Sequence, residues 1–401
     1  MSYKEFSGTA LDHLHNLMAG RVVRGEVPGM VTLISRHGEV HVDAIGSKKM
    51  GSHDPMQRDT IFRIASMTKP MTAAATMLLV EDGKLQLDES VERLLPELAN
   101  RSVLRRLDGP LDDTVPAKRA ISVRDLLTFR MGIGIVMAAP DSTPILRAMS
   151  GQLLGQGPPT PAMTPEPDEW MRRLGALPLM HQPGERWTYN TGADVLGVLV
   201  ARASGRALEA LLHERIFEPL GMKDTAFSVS ADKIGRFATS YGPNIKNGKF
   251  EVYDEAAGGQ WSRPPAFPSG GAGLVSTADD YLAFGRMLLN KGRHGNKQIM
   301  SPSSVELMTH DQLTLQQHAT AGMILDKSRG WGFGMAVVTT EDELFGHVGR
   351  FGWDGGLGTS WASDPSEDMV GILLTQAAWT SPVPPPVYRD FWTAAYQAIK
   401  T

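Results

Sequence analysis

Residues 64–70 read Ile64-Ala65-Ser66-Met67-Thr68-Lys69-Pro70. The spacing of one hydroxyl and one amine in this run decides how the rest of the chain is read. Residues i and i+3 share a helix face. Lys69 can therefore lie against the Ser66 oxygen and take its proton or lower its pKa, which a hydroxyl needs before it attacks carbon. Pro70 is tolerated only in a first helical turn. Ser66 thus belongs at or near a helix N-terminus, where free N–H groups and the macrodipole favour developing negative charge. A plain N-cap serine satisfies the same pattern, and a second copy, Ser230-Ala231-Asp232-Lys233, shows that the bare spacing is not specific. Context separates the two. Ser66 follows an extended segment, 60–64, and precedes an apolar helix predicted over 71–81 and closed by Asp82-Gly83, whereas Ser230 stands in a polar stretch.

Outward from this run, the N-terminal side has helical periodicity over 7–27, then two apolar runs, 31–35 and 40–44, around a His37-Gly38 hairpin turn. On the C-terminal side, residues 84–235 read as mainly helical. Examples are 123–129 after Ser122, and 207–217 after Gly205-Arg206. The Pro-rich stretch 155–167 reads as a surface loop or flap. Strand patterns return at 331–339, 343–348, 356–363 and 368–375, and an amphipathic helix is expected over 388–399. Strands at both ends with helices between predict an α+β architecture. One antiparallel sheet built from 1–70 and 236–401 carries the terminal helices, a mainly helical domain is inserted at 71–235, and the active site lies in the cleft between them.

A serine–lysine pair needs a proton carrier for the leaving group. Tyr189, in Thr188-Tyr189-Asn190-Thr191-Gly192 before a helix expected to begin near Asp194, can point its hydroxyl into a cleft; a packed aromatic with a satisfied hydroxyl explains the same residue. The run 346–361 places many glycines at the entrance to a strand, which suggests close backbone approach. A backbone N–H there and that of Ser66 would make an oxyanion hole, with a bulge or tight hairpin as the alternative.

Taken together, Ser-Met-Thr-Lys at 66–69, Tyr-Asn-Thr-Gly at 189–192 before Asp194-Val195-Leu196-Gly197, and Gly-Trp-Asp-Gly-Gly at 352–356 resemble the serine β-lactamase and penicillin-binding-protein superfamily, most closely its β-lactamase-like carboxylesterases of family VIII. The likeness covers nearly the whole chain. It implies that Ser66 is the acylated nucleophile and that Lys69 activates it, directly or through Tyr189. Tyr189 would shuttle the proton to the leaving alcohol and later activate water. Trp353 takes the first position of the family's Lys-Thr-Gly element, and Gly356 would supply the second oxyanion N–H beside Ser66. Trp353, Asp354, Gly355, Thr191 and His347 are the expected substrate contacts, although His347 also suits a structural hydrogen bond.

Two departures bear on substrate. Thr191 stands where penicillin-processing relatives carry Asn, and Trp353-Asp354-Gly355 replaces a cation with a ring and an anion. An anionic substrate loses a charge-assisted contact and a neutral ester does not, which favours ester over lactam hydrolysis. Arg350 is near enough in sequence to restore a cation, so β-lactam turnover stays open. So do a D-alanyl-D-alanine carboxypeptidase, an acyltransferase and a non-catalytic penicillin-recognition protein.

Composition bounds these readings. The chain has 401 residues, 42% hydrophobic and 21% charged, an ordinary globular balance. Its net charge of −4 gives no sign of a nucleic-acid partner. No cysteine means no disulfide, thiolate or Cys-ligated zinc. His13 and His15 fall on different faces of the first helix, and no His-Glu-x-x-His exists, so neither metal nor cofactor is expected. Gly270-Gly271-Ala272-Gly273 lacks the Lys of a phosphate loop and reads as a turn near the cleft. Ser360, in a near match to Gly-x-Ser-x-Gly, reads as mid-strand. No span long enough for a membrane and no leader are read, so a cytoplasmic location is expected, or a periplasmic one with a leader removed. The partner expected is a small-molecule ester; oligomeric state is not read.

Overall fold

The computed structural model describes residues 5–400 apart from 137, 139–140, 156, 245–248, 323, 342–345 and 382. In chain order, helix α1 (Gly8–Val23) leads into the hairpin β1 (Gly29–Arg36) and β2 (Glu39–Gly46), with His37 and Gly38 at positive φ in its turn. The short β3 (Phe62–Arg63) precedes α2 (Thr68–Glu81). Helices α3 (Val123–Leu127) and α4 (Thr191–Ser204) follow, then β4 (Phe250–Asp254), β5 (Val275–Ser276) and α5 (Ala278–Leu289). The chain ends with strands β6 (Arg329–Trp331), β7 (Ala336–Val338), β8 (Phe351–Gly355), β9 (Thr359–Asp364) and β10 (Met369–Thr375), and helix α6 (Pro386–Gln397).

One seven-stranded antiparallel sheet runs β6-β7-β8-β9-β10-β1-β2. The two ends of the chain meet inside it, between its fifth and sixth strands, where Met30 faces Thr375 and Arg36 faces Met369 across β1 and β10. Side chains alternate along a strand, and both faces here are covered. Met30 and Ile34 of β1 and Met369 and Leu373 of β10 join Leu14 and Met18 of α1 and Phe391 and Trp392 of α6. Val31, Leu33, Val370 and Ile372 point the other way, into a core with Tyr281 and Phe284 of α5. Two covered faces explain why these strands read as continuous apolar runs. Gly371 lets α6 approach β10 closely, since a Cβ there would stand 2.5 Å from the Trp392 ring.

Several expected bounds change. The strand read over 331–339 is a hairpin, β6 and β7, broken by Gly334 at φ +76°. Of the strand read over 343–348, residues 343–345 lie outside the described residues, and Gly346–Val348 are not strand. The strand read from 356 begins at Thr359, because Gly358 at φ +106° turns the chain between β8 and β9. The helix expected near Asp194 begins at Thr191. Ser360 is buried in mid-strand, and no described helix is long and apolar enough to cross a membrane.

Candidate active site

Ser66 sits in a single 3-10 turn, Ala65–Met67, between β3 and α2. The turn is pinned from several sides. Ile64 N–H donates to Leu274 O at 3.0 Å, Leu274 N–H donates to Thr68 Oγ1 at 3.1 Å, and the Tyr281 hydroxyl donates to Met67 O at 2.8 Å. Ala65, one residue before the serine, is held at φ +43°, the left-handed conformation that non-glycine residues adopt at strained, over-determined places.

Lys69 is 1% exposed, and its Nζ donates to Ser66 Oγ at 2.9 Å and to Gly271 O at 2.7 Å. Burial pushes the ammonium down to about 7, against the nearby charge of Asp194, which holds it up. The Tyr189 hydroxyl is hydrogen-bonded to Ser66 and accepts from Trp353 Nε1 at 2.7 Å. Burial raises its phenol well above the usual range. Lys69 Nζ lies 4.7 Å from the centroid of the same ring. Trp187, Phe129, Trp353 and Trp331 surround the ring at 5.6, 5.7, 5.5 and 6.2 Å. Hydroxyl, amine and phenol thus converge in one crevice, and the indole N–H of Trp353 reaches the phenol oxygen.

The β8–β9 hairpin meets the serine turn. Thr359 Oγ1 donates to Ile64 O at 3.2 Å, and a Cβ on Gly355 would stand 2.3 Å from the same carbonyl. Gly355 is therefore required for close backbone approach and does not line the cleft, a correction to its expected substrate contact. Gly356, the next residue, has open space around its Cβ direction and lines the cleft with Ser66. Among the described residues, the N–H groups of Ser66 and Gly356 donate to no protein acceptor.

The other expected contacts divide. Trp353 lines the cleft. Asp354 touches its edge but accepts from Ser360 Oγ at 2.7 Å and lies 3.9 Å from Arg329, while burial raises its carboxyl pKa. Thr191 does not line the cleft. It is the first residue of α4, 1% exposed, with Oγ1 unpartnered among the described residues. Asn190, at φ +84°, turns the chain and takes the place at the cleft expected of Thr191. His347 makes the structural hydrogen bond that was its alternative reading and does not contact the cleft. Its Nδ1 pairs with Asp364 Oδ2 at 2.7 Å beside Tyr396 of α6, on the far face of the sheet. Arg350 lies there too, with its guanidinium 4.2 Å above the Trp392 ring. Among the described residues, the cation that lines the cleft is Arg329.

Sequence reading missed one supporting group. Asp194 Oδ1 accepts from Ser269 Oγ at 2.5 Å and from Gly271 N–H at 3.0 Å, and so fixes the carbonyl that receives Lys69. Its only signals were a buried-side acid in a helical first turn and a glycine cluster far along the chain. The cleft has a volume of about 720 Å³. Among the described residues, no group of three or more His, Asp or Glu is arranged to hold a metal.

The model of the family described as Beta-lactamase matches residues 14–386. An uncharacterized protein of Mycobacterium tuberculosis is 43% identical over 360 residues, covering 88% of this chain and 86% of that protein. Esterase EstB of Burkholderia gladioli is 31% identical over 371 residues, again covering 88% of this chain and 86% of that one. Among solved structures, EstCE1, a hydrolase with promiscuous acyltransferase activity, superposes with a TM-score of 0.79 at 26% identity, covering 96% of this chain and 98% of that one.

Proposed function

We propose that this chain, which belongs to the beta-lactamase family, hydrolyses carboxylic esters through an acyl-enzyme on Ser66. The observation that carries the reading is the convergence of Lys69 Nζ and the Tyr189 hydroxyl on Ser66 Oγ, with Trp353 Nε1 donating to the phenol. A general base works best with a proton affinity near the operating pH. Lys69, brought down to about 7, meets that condition and Tyr189 does not. Neutral Lys69 takes the Ser66 proton as Oγ attacks the ester carbonyl. The N–H groups of Ser66 and Gly356 receive the oxyanion; one such donor is typically worth ~10²–10³ in rate. Tyr189 relays the proton to the departing alcohol. Water then attacks the acyl-enzyme by the reverse relay, and no cofactor enters. The only cation among the described lining residues, Arg329, is held by Asp326 at 2.8 Å, so a substrate carboxylate finds no free partner.

Ser66→Ala is expected to abolish hydrolysis of p-nitrophenyl acetate and labelling by a fluorophosphonate probe while the circular dichroism spectrum stays the same. Retained turnover would sink the reading. A second reading, acyl transfer to an alcohol, is favoured by the size of the cleft and the acyltransferase activity in the description of EstCE1. Product analysis with an added alcohol acceptor separates the two.

A further inference from the structure

The cleft is larger than a short-chain ester needs. Its volume of about 720 Å³ falls in the range of sites that enclose drug-sized ligands, roughly 300–1,000 Å³. Leu153 and Leu154 and, from the Pro-rich segment that follows them, Pro158 and Pro159 face the space. Trp170, on the helix Pro167–Gly175 that the segment enters, and Phe267 also line the space, nearly buried themselves and tilted at 39° with ring centroids 5.0 Å apart. Leu153 is 40% exposed where it meets the cleft, an apolar side chain left facing water unless something covers it.

The segment is fastened from outside the cleft. The Tyr253 hydroxyl, on β4, donates to Pro159 O, and Ala162 N–H donates to Gln260 Oε1 at 3.3 Å. Gln260 is itself fixed, its N–H donating to Asp254 Oδ1 at 2.6 Å. A wall tied at two points by residues that take no part in the acyl chemistry has a geometry to keep. The lining charges are mutually engaged: Arg329 with Asp326 and Asp354, and Asp194 with Ser269 and Gly271.

We propose that the substrate is a neutral ester bearing one large apolar group of ring-system size, held against the Pro-rich wall and the Trp170–Phe267 pair, with Tyr253 as the positioning residue that keeps the wall in place. This inference rests on the serine-hydrolase reading above. Uncharged apolar surface leaving water for this cleft is the driving term, and a charged group there would lose hydration without a partner.

Two ester series on the full chain test it. p-Nitrophenyl acetate against p-nitrophenyl cyclohexanecarboxylate varies the acyl side, and phenyl acetate against 2-naphthyl acetate varies the alcohol side. Rates are normalised to alkaline hydrolysis of each ester. kcat/KM is expected to rise about tenfold or more with size in at least one series, which also says which part of the ester occupies the wall. A p-nitrophenyl hemisuccinate is expected to fall about tenfold below the butyrate. Tyr253→Phe is expected to lower kcat/KM for the large ester about five- to tenfold, mainly through KM, with p-nitrophenyl acetate unchanged, and Leu153→Asp to lower it for the large ester at least fivefold more than for p-nitrophenyl acetate. If kcat/KM is flat or falls with size in both series while a fluorophosphonate still labels Ser66, the inference is wrong and the hydrolase reading stands. The same holds if either variant lowers small and large esters alike. If no ester turns over and Ser66 is not labelled, both fall together.

Discussion

The Lys69 ammonium has exchanged water for a serine hydroxyl and one carbonyl, and its proton affinity has dropped to about 7 in consequence. Only the neutral amine can take the Ser66 proton, so ester turnover is expected to rise with pH through about 7 and then level off. The Tyr189 phenol, raised by burial, gives no basic limb within the accessible range. Asp194 supplies the test of how this value is set. Its charge raises the Lys69 pKa. Asp194→Asn therefore moves the acidic limb of the kcat/KM profile to lower pH, while a residue that only packs would reduce the plateau and leave the limb in place. Ser66 and Lys69 were legible as a pair because a helical i, i+3 spacing needs no long-range information. Trp353 was legible by position and lines the cleft, but the indole N–H that reaches Tyr189 is visible only once β8 and the loop before α4 are brought together. Thr191 was misplaced because Asn190 before it adopts positive φ, and which residue of that turn faces the cleft shows only in three dimensions.

At the scale of the elements, the two-residue strand β3 carries the nucleophile's turn and is held by a buried ion pair rather than by its length. Arg63 and Asp254 are 2% and 3% exposed, with Arg63 Nε donating to Asp254 Oδ2 at 2.9 Å and Nη1 to Ala238 O at 2.6 Å. The guanidinium also lies 3.9 Å above the Phe237 ring. Removing one partner leaves an uncompensated buried charge, typically costing ~3–5 kcal/mol. Asp254→Ala is therefore expected to lower stability by about that amount in urea titration. A loss below about 1 kcal/mol would mean that solvent reaches the pair and that the strand is held by other contacts. Long periodic elements such as α2, β1, β10 and α6 were readable within about three residues. The pairing of the short ones was not. β3 pairs with β5, more than two hundred residues away, through only Phe62–Ser276 and Arg63–Val275, so nothing local in either segment announces the partner.

Across the whole molecule, the cleft depends on a sheet whose middle is assembled last. β10 is hydrogen-bonded to β9 on one side and to β1 on the other, and α6 covers it. A fragment of residues 1–365 keeps Ser66, Lys69, Tyr189 and Trp353 but lacks that central strand. It is expected to show no labelling by a fluorophosphonate, and labelling at the full-length rate would show that the helical side alone builds the site. The same pairing bears on how the protein is made. Strand β1, buried along seven of its eight residues in the finished molecule, waits for a neighbour whose first paired residue, Met369, is opposite Arg36. At a translation speed of about 5–20 residues per second, that interval lasts roughly 15–70 s. Throughout it the nascent polypeptide carries a sticky, half-dressed ribbon outside the ribosome, and yield in a producing cell should track how well chaperones shield it.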